Sequence, residues 1–329
     1  MKKIEEKRAE EIKAPSKTGD KPTEVLSDLV SLDYEDFVKK LGEMADDPKL
    51  HAAIKAGLKD GDRKDEKVKF HEKSLPVKRL IPTQNEVDVD KSLMFPLTKT
   101  ESPFIDTTKK ILRSGHNPKQ KDPIEIIAPI VTLNEKYIID GHHRWSQIYA
   151  MNKEARISVI DMKTTDDPIK ILKAVQLSIA VAAKEIPVEK VEGTNLLKVG
   201  EDKLKSYVVD NIADEVLELM SEEYKKINTK DDAAEFIWNN VKEMQENSQP
   251  IPGAPERQYM PQTDQADGWE EPLKRGKINF KGPFKKPGAP EPVAERRIYD
   301  FEKFVNEEYS QMLQRAHVPS NSMDRKPRD

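Results

Sequence analysis

The chain contains no cysteine. That removes a disulfide framework, a thiolate metal site and a thiol nucleophile together. No apolar run approaches the roughly 18 residues a membrane-spanning helix needs. The opening Met1-Lys2-Lys3-Ile4-Glu5-Glu6 also lacks the apolar stretch of a secretion signal. The expectation is a cytoplasmic or virion-associated protein with no membrane partner. Positive charge is not in excess either: 56 Lys and Arg face 60 Asp and Glu, a net charge of −4. General affinity for nucleic acid is therefore not expected, and any such contact must be local. Apolar residues are scarce, at 36% of 329 residues against 35% charged, with a mean hydropathy of −0.77. Much of the length is expected to be solvated or extended around one or two domains.

What is present centres on one stretch, Tyr137 to Trp145. Tyr137, Ile138 and Ile139 are β-formers with no charge between them, as in a strand buried on both faces. After Gly141, Trp145, Ile148 and Tyr149 fall at i, i+3 and i+4, one face of a helix. Asp140 to Arg144 then occupy a strand-to-helix junction, where unpaired N–H groups and the helix dipole favour an anion. His142, His143 and Arg144 add donors suited to phosphate oxygens. The spacing predicts a phosphate-binding loop. A zinc site is not expected, since adjacent histidines point different ways and no third ligand lies at a metal spacing.

Around this stretch the chain divides into five segments. Residues 1–69 read as a charged arm and a small helical element, with helices over 34–44 and 48–58 and a charged linker over 59–69. Residues 70–165 form an α/β core. Strands are expected over 75–81, 125–133 and 155–162, with a turn at Asn134-Glu135 and a helix over 105–113. Pro129 points to an edge or a bulge. Residues 166–247 are helical, with a capping box from Thr229 to Asp232. Residues 185–246 carry sixteen Asp/Glu against eight Lys/Arg, the wrong sign for reading DNA. Residues 248–297 hold nine of the 23 prolines and read as an extended arm. Its Lys274–Arg297 portion has eight basic residues against two acidic ones, suited to an acidic partner or a nucleic acid. Removing the chain beyond Asn247 is expected to leave stability intact. Residues 298–329 give a final amphipathic helix and tail, so residues 248–317 are expected to hold a protein partner or a second copy.

Over about Phe70 to Met162 the sequence resembles the ParB/sulfiredoxin family. Its strands end in Gly-Glu-Arg-Arg, Gly-Cys-His-Arg or Asp-Gly-His-His-Arg, and Asp140-Gly141-His142-His143-Arg144 resembles the last form. Leu80-Ile81-Pro82-Thr83-Gln84-Asn85-Glu86 is similar to the family's opening strand and box. Asp122-Pro123-Ile124-Glu125-Ile126 is similar to the strand before its hairpin. The resemblance implies an α+β fold with a mixed-sheet core, to which periodicity and composition add a helical N-terminal element, a helical region after the core and an extended C-terminal arm. Sulfiredoxin chemistry is excluded, because His142 stands where its cysteine would be.

The resemblance further implies a nucleoside triphosphate, ATP or CTP, bound with Mg²⁺ by Gly141, His142, His143 and Arg144. Asp140 would ligate the metal or orient a nucleophile. Glu86 matches the general base of the family's serine-kinase branch, and Glu125 is a second acid candidate. Three classes stay open: a Mg²⁺-dependent phosphotransferase or NTPase, a DNA-associated partition or nuclease-like protein, and an assembly subunit of a phage or mobile element.

Overall fold

The computed structural model describes residues 28–29, 31–56, 68–115, 124, 129–164, 167–186, 193–276 and 278. The expected N-terminal arm over 1–24, Glu125, most of Lys274–Arg297 and the helix over 298–317 lie outside the described residues.

Five short strands make one mixed sheet. They are β1 (Lys69–Pro76), β2 (Ile81–Pro82), β3 (Ile130–Leu133), β4 (Tyr137–Asp140) and β5 (Arg156–Lys163). Their order is β1-β5-β3-β4-β2. β1/β5 and β3/β4 are antiparallel, while β5/β3 and β4/β2 are parallel. The fold is thus α+β with a mixed sheet, as the sequence leads one to expect.

Alternation sends successive side chains to opposite faces of the sheet. Ile130, Ile138, Ile157 and Val159 join one buried cluster; Val131, Ile139, Ile160 and Met162 join the other. A helix layer covers each face. On the first lie α3 (Val89–Thr98), α4 (Phe104–Arg113) and α5 (His142–Met151), with α7 (Glu201–Asn211), α8 (Asp214–Glu223) and α9 (Lys230–Asn247) outside them. On the second lie α1 (Tyr34–Met44), α2 (Pro48–Ala56), α6 (Pro168–Ala183) and the short α10 (Glu271–Lys274). Trp145 and Tyr149 of α5 are fully buried against the sheet, and the Trp145 indole donates to Val77 O at 3.1 Å. α9 begins at the expected capping box, and Asn240 ties it to α5 through Ala150 O at 2.9 Å.

Three expectations change. The strand over 75–81 is broken: β1 stops at Pro76, a 3-10 turn covers Val77–Arg79, and β2 follows. The bulge falls at Val131/Thr132, just after Pro129 and not at it. The largest difference concerns residues 248–276 and Ile278, which pack on the core and do not extend away from it. Met260, Trp269, Leu273 and Ile278, each no more than 5% exposed, belong to the second cluster with Phe70 and α6. Proline content rules out long helices there, but apolar side chains at irregular intervals still bury well. A helix that periodicity did not suggest, α3, starts at Asp88, whose carboxylate accepts from Lys91 N.

Candidate functional site

Gly141 makes the junction. It sits at φ +89°, ψ 28°, the left-handed region that lets a strand turn directly into a helix. A Cβ there would lie 3.0 Å from Arg144 Nη2 and from Ile130 Cγ1, so a side chain would crowd both neighbours as well as strain the backbone. α5 starts at His142 with no side-chain cap, and its first three N–H groups have no intrahelical acceptor.

Arg144 turns back over this turn. Its Nη2 pairs with Asp140 Oδ2 at 2.8 Å and reaches Pro129 O at 3.3 Å, while Nε is enclosed without a partner. The pair is partly exposed and contributes little to stability. Its effect is to hold the guanidinium beside the free amides.

The histidines behave otherwise than expected. His142 is 4% exposed, and its Nε2 accepts the Thr83 N–H at 3.1 Å. His143 Nε2 accepts the Asp88 N–H at 3.2 Å. A ring nitrogen that accepts carries no proton, so each neutral imidazole keeps its proton on Nδ1. Burial pushes the His142 pKa well below the usual range, with further lowering from His143, Arg257 and Arg144. His143 is lowered to about 3 by burial, then by Arg257, Lys91 and Arg144. Neither ring is a cation at neutral pH. Their Nε2 atoms hold the 83–88 loop to the helix and are not free to donate to phosphate.

That loop is built from several directions. The Thr83 hydroxyl donates to Ile138 O, joining the end of β2 to β4. Asn195 Oδ1 accepts from Val87 N at 3.1 Å, and its Nδ2 donates to Asn85 O at 2.9 Å. Residues 251–257 run alongside, through Ile251 N to Pro82 O at 3.3 Å and Asn85 N to Pro255 O at 3.1 Å. Glu86, half-buried, accepts the Arg257 N–H at 3.1 Å. Its carboxylate is therefore bound to the backbone, unlike the free base that the family resemblance implies.

Sequence reasoning missed Arg257 and Asn195. Arg257 Nη2 donates to Gln262 Oε1 at 2.9 Å, and its charge acts on Asp140, His142 and His143. It comes from the proline-rich segment more than a hundred residues after the motif, where no periodicity marks it. The structure thus gathers Glu86, Asp140, Gly141, His142, His143 and Arg144 and adds a second guanidinium to them.

Among the described residues no group of three or more His, Asp or Glu could hold a metal ion. Asp140 shares its carboxylate with Arg144 and Glu86 shares its own with Arg257 N. These residues suit an anion better than a dedicated magnesium cage. A cleft of about 440 Å³ lies elsewhere, lined by Val38, Gly42, Ala45, Lys184, Ile186 and Tyr259, and includes none of the candidate residues. No helix among the described residues is long and apolar enough to cross a membrane. Comparisons with protein-family models, curated proteins and solved structures found no match.

Proposed function

We propose that the Asp140–Arg144 junction binds the phosphate groups of a nucleotide, as in the ParB/sulfiredoxin-like domains its motif resembles. One observation carries the reading: Arg144 stands at the start of α5, where three backbone N–H groups have no acceptor within the helix, and the charge of Arg257 reaches the two histidines of that first turn. Guanidinium groups and a helix N-terminus both favour phosphate, and the neutral histidines add no charge of their own. In the free protein Asp140 engages Arg144, so an incoming phosphate competes with it for the guanidinium. Any Mg²⁺ would enter on the ligand's own phosphates, with Asp140 as its one protein carboxylate.

Both Glu86 and Asp140 are engaged by protein donors. That favours a binding module over an enzyme and keeps the assembly-subunit reading next in line. Isothermal titration with ATP, CTP, GTP and pyrophosphate tests the proposal. Arg144→Ala is expected to weaken binding by roughly 1.5–3 kcal/mol, the scale of a charge-assisted hydrogen bond. If the wild-type protein binds none of the four, the reading is wrong.

A further inference from the structure

We propose that Glu86 is a positioning residue that sets Arg257 as the second phosphate-binding cation of the site. The inference rests on the phosphate-binding reading above and deepens it. Thr83 N bonds to His142 and Asp88 N bonds to His143, so both ends of the 83–88 loop are anchored to the first turn of α5. Glu86 lies between these anchors. Its Oε2 takes the Arg257 N–H at the start of the 3-10 turn Arg257–Tyr259.

Two further bonds reinforce the arrangement. The Gln84 side chain donates to Glu86 O, and Asn85 N donates to Pro255 O at 3.1 Å. The first braces the loop itself, and the second joins it to the 251–257 segment next to the Glu86–Arg257 contact. The Arg257 guanidinium is steadied by Gln262 Oε1 at 2.9 Å and lies within electrostatic reach of Asp140 and both histidines. Glu86 therefore fixes the backbone from which this cation projects. A ligand meeting both Arg144 and Arg257 needs more than one anionic group, which points to a di- or triphosphate in preference to a monophosphate.

Two roles for Glu86 are separable by one pair of substitutions. A positioning carboxylate needs only an acceptor oxygen, which Glu86→Gln retains. A general base needs its charge, which Glu86→Gln removes. We expect Glu86→Ala and Arg257→Ala each to weaken pyrophosphate and ATP binding about tenfold or more, as for loss of a hydrogen bond to a charged group. Together they should do little more than either alone. Glu86→Gln should restore affinity to within about threefold of wild type, an allowance for the weaker neutral acceptor. Inorganic phosphate should bind at least about tenfold more weakly than pyrophosphate if two cations are used.

Titration of these variants, with urea melts to establish that each is folded, decides the matter. If Glu86→Ala does not fold, Glu86→Asp withdraws the carboxylate by about one methylene and carries the same expectation. Binding lowered by Arg144→Ala but unchanged by Glu86→Ala would overturn this inference alone. Glu86→Gln that loses affinity as fully as Glu86→Ala would overturn it too, since an acceptor oxygen at that place would then not suffice. A wild-type protein that binds no phosphate compound would take both readings down.

Discussion

The two halves of the site are made in different ways. One half, Tyr137 to Trp145, is a single run: strand, left-handed glycine, helix. The other half comes from three distant places, the 83–88 loop, Asn195 and the 251–262 segment, joined by hydrogen bonds of backbone groups to side chains and to other backbone groups. In the first, local chemistry dictates the shape, because Gly141 must be left-handed and Arg144 must fold back on Asp140. In the second, no residue demands its conformation by itself, and only the assembled fold brings the donors and acceptors together. The contiguous half carries the helix N-terminal amides and Arg144, and the distributed half carries Arg257.

The sharpest way to break this division is to remove the distributed half. A chain ending at Asn247 loses Arg257 together with Met260, Trp269, Leu273 and Ile278. Burying each such side chain is worth about 1.5–3 kcal/mol, so their sum rivals the roughly 5–15 kcal/mol stability of a typical domain. We expect either no cooperative unfolding or a Tm lower by about 15 °C or more. A shortened chain that melts with the full-length protein would return residues 248–276 to the status of an arm.

The next largest effect belongs to the contiguous half. Gly141→Ala places a Cβ at +89° φ and against Ile130 and Arg144. Left-handed conformation alone costs an alanine about 1–2 kcal/mol, and the 3.0 Å contacts add to it. A loss near 2–3 kcal/mol in urea melts is expected, with phosphate affinity falling as Arg144 is displaced.

Acid probes the joint between the halves. Both histidines have pKa values lowered in the folded protein, His143 to about 3. Unfolded, each would titrate near 6.5, so below that pH the unfolded chain binds more protons than the folded one. Stability is complete above about pH 6.5 and falls as pH drops toward the folded values, by about 1.4 kcal/mol per unit for each histidine. Urea melts at pH 7, 6 and 5 should show this slope, and His143→Gln should reduce it by about half. A wild-type slope of zero would mean that the Nε2 atoms do not hold the 83–88 loop.

Asn195→Ala sharpens the comparison from the distributed side. It leaves Val87 N and Asn85 O without their side-chain partner, and loss of such buried pairing costs about 1–3 kcal/mol. Stability should fall, and hydrogen exchange over residues 83–89 should rise more than over 137–145.

These contrasts also say what could be read beforehand. The helix over Tyr34–Met44, the strand-turn-helix at 137–145 and the Thr229 capping box depend on neighbours a few residues away, and all three are visible as patterns. The closeness of Asp140, Gly141 and Arg144 was legible for the same reason. The protonation of His142 and His143 was not, since it depends on burial and on backbone donors some 55 to 59 residues away. Arg257 and the folding of 248–276 were hidden because proline-rich sequence reports the absence of regular elements, not the absence of packing.

The smallest expected effect lies in the hairpin that feeds the contiguous half. Asn134 and Glu135 take φ values of 53° and 59°, left-handed for both. Glycine at 135 removes a strain of about 1 kcal/mol. Against that, it adds unfolded-state freedom worth about 0.4–1 kcal/mol and removes the Lys73 ion pair, whose 3.6 Å separation and partial exposure make it weak. The Glu135 N–H that donates to Asp161 Oδ1 at 2.7 Å belongs to the backbone and is kept. The terms nearly cancel, so Glu135→Gly should shift stability by less than about 1 kcal/mol in either direction. A loss of more than about 2 kcal/mol would exceed every contribution assigned to that side chain. It would show that the hairpin, like the 83–88 loop, depends on contacts beyond its own turn.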